Sequence, residues 1–264
     1  MTGGILADIV AAVQDRLQRE AEPPGLLRAA REAAGVRRRT GRRSLAAALA
    51  EPGVRVIAEC KRRSPAAGVL RASFDPVALA RAYQAGGAAA ISVVTEPQFF
   101  AGQPGWIPLV RQAVALPVLR KDFIISMRQL AESVLLGADA VLLIARCLPG
   151  SLLPELVAVA SELELDVLLE VHDELDLERA LTTTAPIIGI NSRDLSTFAV
   201  DLGAAARLAA QVPPGRTVVI ESGIDGPTAA APLRAAGLRH FLVGSALLRA
   251  GDPEAAVREI VTCR

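Results

Sequence analysis

Residues 117–144, PVLRKDFIISMRQLAESVLLGADAVLLI, contain one complete strand–helix–strand unit, and this stretch decides the fold. The run at 138–144 is apolar but for Asp139, and the run at 117–121 begins with three apolar residues before Arg120 and Lys121. Such runs are typical of strands buried on both faces of a parallel sheet. Between them, Ser126 occupies a position suited to a helix N-cap and Gly137 a position where a helix stops. The spacing therefore predicts two parallel strands joined by a helix.

Similar apolar runs recur along the rest of the chain, with starts 21 to 34 residues apart. Each interval has room for one strand, one helix and two loops. Eight such units predict an α/β protein with a closed (β/α)8 barrel, the TIM barrel. An open doubly wound sheet is the alternative, but no GxGxxG motif follows the first run to favour it. The predicted strands are residues 54–60, 88–94, 117–121, 138–144, 165–171, 186–190, 217–221 and 239–243.

About fifty residues precede the first predicted strand, and they contain helical patterns at 5–20 and 26–34. The run RRRTGRR at 37–43 is interpreted as a solvated loop in preference to a phosphate or nucleic-acid patch. Residues 1–50 are too few for a stable domain of their own. We therefore expect a helical extension packed on the barrel and a single domain spanning residues 1–264.

Composition excludes several classes of protein. The net charge of +1 argues against a dedicated nucleic-acid binder. Mean hydropathy is +0.37, but the longest runs without charge have 14 residues, whereas a membrane-spanning helix needs about 20. No secretory signal pattern is present, so a cytoplasmic location without a membrane partner is expected. Three scattered cysteines give neither a disulfide framework nor zinc spacing: Cys60, Cys147 and Cys263.

Only two of the 29 basic residues are lysine, Lys61 and Lys121. Lysine can release its proton or form a Schiff base, and arginine can do neither. The alternative is that two lysines persist by chance in an arginine-rich chain. Their positions favour function, because both fall where a predicted barrel strand ends.

Functional side chains of such barrels lie at the carboxyl ends of the strands, where alternate residues point inward. This rule gathers one set of polar residues at the barrel mouth: Glu59, Lys61, Lys121, Glu170, Asn191 and Glu221. Their chemistry suits general acid–base catalysis or a Schiff base on a lysine. The alternative is an ion-pair network that only satisfies buried charges.

The remaining reactive residue types do not suggest a second kind of site. The two histidines, His172 and His240, lack the spacing of a metal-binding pair and are expected in loops or at the surface. Cys60 would point away from the mouth, so it is expected in the core.

The turns after predicted strands 7 and 8 contain Ser222-Gly223 and Gly244-Ser245. Glycine-rich turns at these two positions predict a phosphate site.

Seven motifs make the chain resemble the indole-3-glycerol phosphate synthase family. They are IAECKRRSP (57–65), TEPQFFAG (95–102), LPVLRKDFI (116–124), LLEVH (168–172), IGINSRDL (188–195), ESGI (221–224) and FLVGSALL (241–248). The resemblance runs in order over all eight strands and includes the N-terminal extension. One departure is Ala66, which stands where the family commonly has a second serine. This difference is expected to affect substrate affinity more than the chemical step.

The resemblance implies closure of the indole ring in 1-(2-carboxyphenylamino)-1-deoxyribulose 5-phosphate, with loss of carbon dioxide and water and without cofactor or metal. Lys121 would be the acid at the ketone oxygen, and Lys61 with Glu170 would serve the later dehydration. Which lysine acts at which step stays open. Glu59 would orient a lysine, and Lys61 with Ser64 could hold the carboxylate before it leaves.

The resemblance also implies binding roles around this acid–base set. Residues expected to position substrate hydroxyls and the amine are Asn191, Glu221 and Ser222. Residues expected to receive the phosphate are Ser222, Gly223, Gly244 and Ser245, with Arg193 as a further anion contact. Residues expected to wall the aromatic ring are Phe99, Phe100 and Phe123.

Three other functions compete with a ring-closing lyase. A Schiff-base aldolase would use Lys61 or Lys121 as nucleophile. A barrel without catalysis would not be expected to keep these buried charges. A phosphoribosylanthranilate isomerase would need a Cys and an Asp as its acid–base pair, and Cys60 would face the wrong way. We expect a monomer that binds a small phosphorylated substrate.

Overall fold

A computed structural model describes residues 4–65, 67–71, 73–193 and 199–263, so Ala66 and the end of the 188–195 motif lie outside it. In this part of the chain, eight parallel strands close into a barrel, each paired with its neighbour in sequence and the last paired with the first. The predicted (β/α)8 fold is confirmed. The strands are β1 (Arg55–Cys60), β2 (Ala90–Val94), β3 (Val118–Lys121), β4 (Ala140–Ile144), β5 (Asp166–Val171), β6 (Ile187–Asn191), β7 (Thr217–Glu221) and β8 (His240–Val243).

Helices precede the barrel and follow each of its strands. Those before it are α1 (Ile5–Arg19), α2 (Leu26–Thr40) and α3 (Leu45–Ala50). Those that follow β1 to β8 are α4 (Pro76–Ala85), α5 (Trp106–Ala113), α6 (Met127–Leu136), α7 (Leu152–Glu162), α8 (Glu174–Leu181), α9 (Leu202–Ala209), α10 (Pro227–Ala235), α11 (Ser245–Arg249) and α12 (Pro253–Val261). A short hairpin, Arg63–Ser64 with Gly68–Val69, follows β1. None of the described helices is long and apolar enough to cross a membrane.

Side-chain caps begin two of the barrel helices, one of them at the predicted Ser126. The Asp75 carboxylate accepts hydrogen bonds from the backbone N–H groups of Val77 and Ala78 at the start of α4. The Ser126 hydroxyl accepts the N–H of Gln129 at the start of α6, and Gly137 ends that helix with a φ of 96°. These caps satisfy N–H groups that a helix start leaves without partners. They fix the direction in which each helix returns along the barrel.

The arginine-rich run at 37–43 is not a solvated loop, so that prediction was wrong. Helix α2 continues to Thr40, and the Arg37 guanidinium donates to the carbonyl oxygens of Val134 and Ala138 at 2.6 and 2.7 Å. Those carbonyls terminate α6, where a helix leaves oxygens unpaired and where positive charge is favoured. The run therefore anchors the N-terminal extension to the amino-terminal end of the barrel. The sequence shows the charge but not its partners, which lie about a hundred residues away.

Arg43 provides the most concentrated of these anchors. Its Nη1 donates to three carbonyl oxygens at the end of α5 and after it, those of Arg111, Val114 and Leu116, at 2.8 to 3.1 Å. We expect Arg43→Met to lower the free energy of unfolding by about 2 kcal/mol, because buried carbonyls lose a charged donor. Urea denaturation measures this. The control is Arg39→Met, since Arg39 is exposed and has no hydrogen-bond partner among the described residues. An equal effect of both substitutions would contradict the anchoring role.

Candidate active site

A cavity of about 490 Å³ opens at the carboxyl ends of the barrel strands. The residues that the sequence predicts for the site converge on this cavity from seven of the eight strands or the loops that follow them. Those that line it are Glu59, Lys61, Ser64, Phe100, Lys121, Phe123, Glu170, Asn191, Arg193, Glu221, Ser222, Gly223, Gly244 and Ser245. Phe99 does not contribute to the lining.

Lys121 is the last residue of β3, and its ammonium group lies between two buried carboxylates. Nζ is 3.6 Å from Oε2 of Glu170 and 3.5 Å from Oε2 of Glu221. Burial lowers the pKa of this lysine, but attraction to Glu221, Glu170 and Glu59 outweighs burial, and the net pKa is raised. Lys121 is therefore held in its cationic form. A cationic lysine can donate a proton or a hydrogen bond to an oxygen that gains negative charge.

Lys61 and Glu59 form a second pair at the end of β1, with Nζ 2.5 Å from Oε1. Burial raises the pKa of Glu59, but Lys61 and Lys121 outweigh burial, and the pKa is lowered. Gly244 leaves the space for this carboxylate, because a Cβ at that position would overlap Oε1 of Glu59. The loop after β8 thus packs directly on the acid that holds Lys61.

The two carboxylates beside Lys121 differ in their protonation. Burial raises the pKa of Glu221 to about 8, and repulsion by Glu170 adds to this rise. Burial also raises the pKa of Glu170, but Lys121, His172 and a hydrogen bond from Asn191 outweigh it and lower the pKa. One carboxyl is mostly protonated near neutral pH and the other is ionised. Such a difference in pKa assigns the roles of acid and base to different members of a pair of neighbouring carboxyls.

The raised pKa of Glu221 makes stability depend on pH. Between about pH 4.5, its ordinary value, and about pH 8, the unfolded group is ionised while the folded group keeps its proton. Glu221 thus contributes its full stabilising free energy below about pH 4.5, and this contribution is lost as the pH rises to about 8. We expect the parent to lose about 1 kcal/mol of unfolding free energy per pH unit relative to Glu221→Gln in this window. Urea denaturation from pH 5 to 9 measures this, and a constant difference would contradict the assigned protonation.

A chain of hydrogen bonds connects β5, β6 and β7 across the mouth. The Ser222 hydroxyl donates to Oδ1 of Asn191 at 2.9 Å, and Nδ2 of Asn191 donates to Oε1 of Glu170 at 3.2 Å. Gly189, on β6, leaves room for this arrangement because a Cβ there would overlap Oε1 of Glu221. The chain fixes the orientation of Glu170 while its second oxygen faces Lys121.

The turns after β7 and β8 line the cavity next to the segment that follows β1. Ser222 and Gly223 both have positive φ, 66° and 77°, and the conformation of Ser222 is uncommon for a residue with a Cβ. Ser192 supports this turn by donating its hydroxyl to the carbonyl oxygens of Glu221 and Ser222. After the neighbouring strand, β8, Gly244 directly precedes α11 and Ser245 is the first residue of that helix. The two turns lie side by side because β7 and β8 are neighbours in the barrel.

Aromatic side chains occupy one side of the cavity. The rings of Phe100 and Phe123 lie 6.0 Å apart between centroids and are tilted by 36°. Phe99 instead belongs to a turn in which its backbone N–H donates to Oε2 of Glu96 at 2.7 Å. The structure therefore brings two of the three predicted phenylalanines to the cavity.

Helix α1 contributes to the cavity, which the sequence reasoning did not foresee. Ile5, Leu6 and Ile9 line it. The far end of the helix is held by Arg128, whose Nη1 donates to the carbonyl oxygen of Glu20 at 2.7 Å. The helical pattern at 5–20 signals an apolar face, but it does not show which surface of the barrel that face covers.

The predictions for the two histidines and for Cys60 concern their burial. His172 is not at the surface, since its side chain is 5% exposed and Nε2 is 3.3 Å from Oε1 of Glu170. It lies in the loop between β5 and α8, which is one of the two locations that the sequence predicts for it. His240 is partly buried at the amino end of β8, with Nδ1 2.9 Å from the carbonyl oxygen of Val218. Cys60 is fully buried, as predicted, and burial raises its pKa.

A closed parallel barrel with lysines and carboxylates gathered at the carboxyl ends of its strands defines a (β/α)8-barrel enzyme. The family model described as indole-3-glycerol phosphate synthase matches residues 6–260. The chain belongs to the indole-3-glycerol phosphate synthase family, the carboxy-lyases of tryptophan biosynthesis.

Individual relatives agree with this assignment. An indole-3-glycerol phosphate synthase from Polaromonas naphthalenivorans is 48% identical over 78% of each chain. Indole-3-glycerol phosphate synthase 2 from Streptomyces coelicolor is 44% identical over 98% of this chain and 99% of the relative. Among solved structures, thiamine phosphate pyrophosphorylase from Pyrococcus furiosus has a TM-score of 0.60 at 20% identity, covering 78% of this chain and 93% of its own. That likeness concerns the fold alone.

Proposed function

We propose that the cavity closes the indole ring of 1-(2-carboxyphenylamino)-1-deoxyribulose 5-phosphate by general acid–base catalysis, giving indole-3-glycerol phosphate, carbon dioxide and water. The observation that carries the proposal is the position of Lys121, with its ammonium 3.5 to 3.6 Å from two buried carboxylates. An acid held between two carboxyls of different pKa suits a reaction that needs a proton donor and a proton acceptor in turn.

Lys121 acts first, at the ketone oxygen. The ring carbon that carries the carboxylate attacks the ketone carbon, a carbon–carbon bond forms, and negative charge develops on the oxygen. Lys121 donates a proton to this oxygen, which becomes a hydroxyl group. Loss of carbon dioxide then restores the aromatic ring. The position of the Lys121 ammonium between Glu170 and Glu221 supports this role, because the two carboxyls hold a cationic donor at the mouth of the barrel.

Lys61 and Glu170 serve the dehydration. A second acid helps the new hydroxyl leave as water, and a base takes the proton released when the indole double bond forms. Lys61 is suited to the first task and the ionised Glu170 to the second. Glu59 holds Lys61 in place through their 2.5 Å contact. Lys61 and Ser64, which both line the cavity, hold the carboxylate before it leaves.

The remaining lining residues bind the substrate. Asn191, Glu221 and Ser222 position its hydroxyls and its amine. The phosphate occupies the turns of Ser222, Gly223, Gly244 and Ser245, with Arg193 as a further anion contact. Phe100 and Phe123 wall the aromatic ring, and their tilted arrangement in the lining supports this role.

A Schiff-base aldolase is the competing use of the same lysines. A lysine nucleophile must be neutral, so the raised pKa of Lys121 favours acid–base chemistry. The test is borohydride reduction of the enzyme mixed with its substrate, followed by mass spectrometry of the intact chain. We expect no added mass together with release of carbon dioxide. A covalent adduct on either lysine would overturn the proposal.

We also propose that the chain works as a cytoplasmic monomer and that residues 1–50 belong to the same domain as the barrel. The presence of Ile5, Leu6 and Ile9 in the cavity lining supports a single unit.

A further inference from the structure

His172 follows β5 directly, and its imidazole lies buried between two carboxylates. Nε2 is 3.3 Å from Oε1 of Glu170, and Nδ1 is 3.6 Å from Oδ2 of Asp176. Neither ring nitrogen completes an aligned hydrogen bond with the described residues, although both are shielded from solvent. Catalytic hydrogen bonds are often long in an unliganded enzyme and shorten when the substrate is bound. The ring is thus placed to donate to either carboxylate.

On the side that faces away from Glu170, the imidazole lies beside charged residues that do not line the cavity. Oδ2 of Asp176 accepts the backbone N–H of His172 at 3.1 Å and Nε of Arg146 at 2.8 Å. Nη2 of Arg146 also donates to Asp173, the residue that caps α8. This network connects the turn after β4 with the start of α8. It holds the Asp176 carboxylate 3.6 Å from Nδ1 of the imidazole.

The two oxygens of Glu170 face different groups. Oε1 accepts from Asn191 and faces His172, whereas Oε2 faces Lys121 at 3.6 Å. His172 therefore contacts the oxygen that is turned away from the lysine. A donor there fixes the plane of the carboxylate and leaves the other oxygen available for proton transfer.

We propose that His172 is a positioning residue for Glu170, donating from Nε2 to Oε1 while Asp176 and Arg146 hold the ring. The inference rests on the proposed role of Glu170 as a base. Fixing one oxygen keeps the second directed at the reacting atoms, and a donor to the ionised carboxyl also favours that form. His172 itself does not line the cavity and does not touch the substrate.

The proposal predicts a change in the pH profile of kcat. Without His172, the ionised form of Glu170 loses a donor, so the pKa of Glu170 rises and the acidic limb moves to higher pH. The other titratable groups that act on Glu170 come from β1, β3, β7 and the turn after β4, and all remain in the variants: Glu59, Lys121, Glu221 and Cys147. Those that act on His172 are Glu170 and Asp176, the latter paired with Arg146.

The test compares kcat and KM from pH 3.5 to 8 for the parent, His172→Leu and His172→Gln. Because the pKa of Glu170 is lowered in the parent, the acidic limb lies at the low end of this range. We expect His172→Leu to move this limb upward by about one pH unit, which lowers kcat about threefold near pH 4 and little at pH 7, with little change in KM. The Gln variant retains an amide donor and should recover part of both effects. His240→Leu is the matched control, since it removes a partly buried histidine at the other end of the barrel and should leave the limb in place.

Rates are expressed per folded chain, measured by circular dichroism. An acidic limb that stays in place in both His172 variants would overturn the proposal, as would a loss of kcat that is equal at every pH. If His172→Leu does not fold, the test uses His172→Gln and Arg146→Gln instead. For both variants we expect a smaller upward shift of the acidic limb. A folded parent that forms no indole would instead refute the proposed function. An active parent that is impaired by Glu170→Gln but not by the His172 variants would refute this inference alone.

Discussion

Replacing Lys121 by arginine is expected to lower kcat about a thousandfold, which is the range of a lost general acid. Arginine keeps the positive charge between Glu170 and Glu221, but it does not release its proton at neutral pH. Initial rates of indole fluorescence measure the effect. KM should change much less, because the turns proposed for the phosphate are untouched.

The Lys121→Arg variant separates proton transfer from simple charge stabilisation. Lys121→Met, which removes both the charge and the proton, provides the comparison. If the arginine variant kept kcat within tenfold of the parent while the methionine variant lost it, the lysine would act only through its charge. That result would contradict the role of Lys121 as a proton donor.

Glu170→Gln is expected to lower kcat by about a hundredfold to a thousandfold near pH 7. Glutamine keeps the shape of the side chain and can still accept the hydrogen bond from Asn191, but it cannot take a proton. The matched control is Glu221→Gln. Because the pKa of Glu221 is about 8, that side chain is mostly protonated at pH 7, and glutamine mimics it. We expect a loss of about tenfold or less for the control.

The contrast between the two variants tests the division of roles between neighbouring carboxyls. Both substitutions replace a buried glutamate within 4 Å of Lys121 by its amide. Equal losses of kcat would contradict the assignment of Glu170 as the ionised base. The same steady-state fluorescence assay measures both variants.

The barrel was predictable from sequence because its signals are local. Each predicted strand agrees with the observed one to within two residues, since apolar runs and caps such as Asp75 and Ser126 lie in the segments they define. The position of both lysines at one mouth followed from the period of two along a strand. The hairpin after β1 and helix α3 carry weaker local patterns and were not predicted.

The remaining features depend on contacts between distant segments. The sequence of the arginine run at 37–43 is the same whether its side chains are solvated or paired. Its partners lie at the ends of α5 and α6 and in the segment that leads into β5. The burial of His172 depends on how the loop after β5 meets α8. The contribution of α1 to the cavity depends on where the extension docks. Residue patterns do not specify any of these arrangements.

The most direct test of the account is a single turnover with enzyme in excess over 1-(2-carboxyphenylamino)-1-deoxyribulose 5-phosphate. The folded protein is mixed with the substrate without added cofactor, and indole fluorescence and released carbon dioxide are followed together. The account predicts one equivalent of each per substrate molecule. A folded protein that binds the substrate but forms no indole would contradict it.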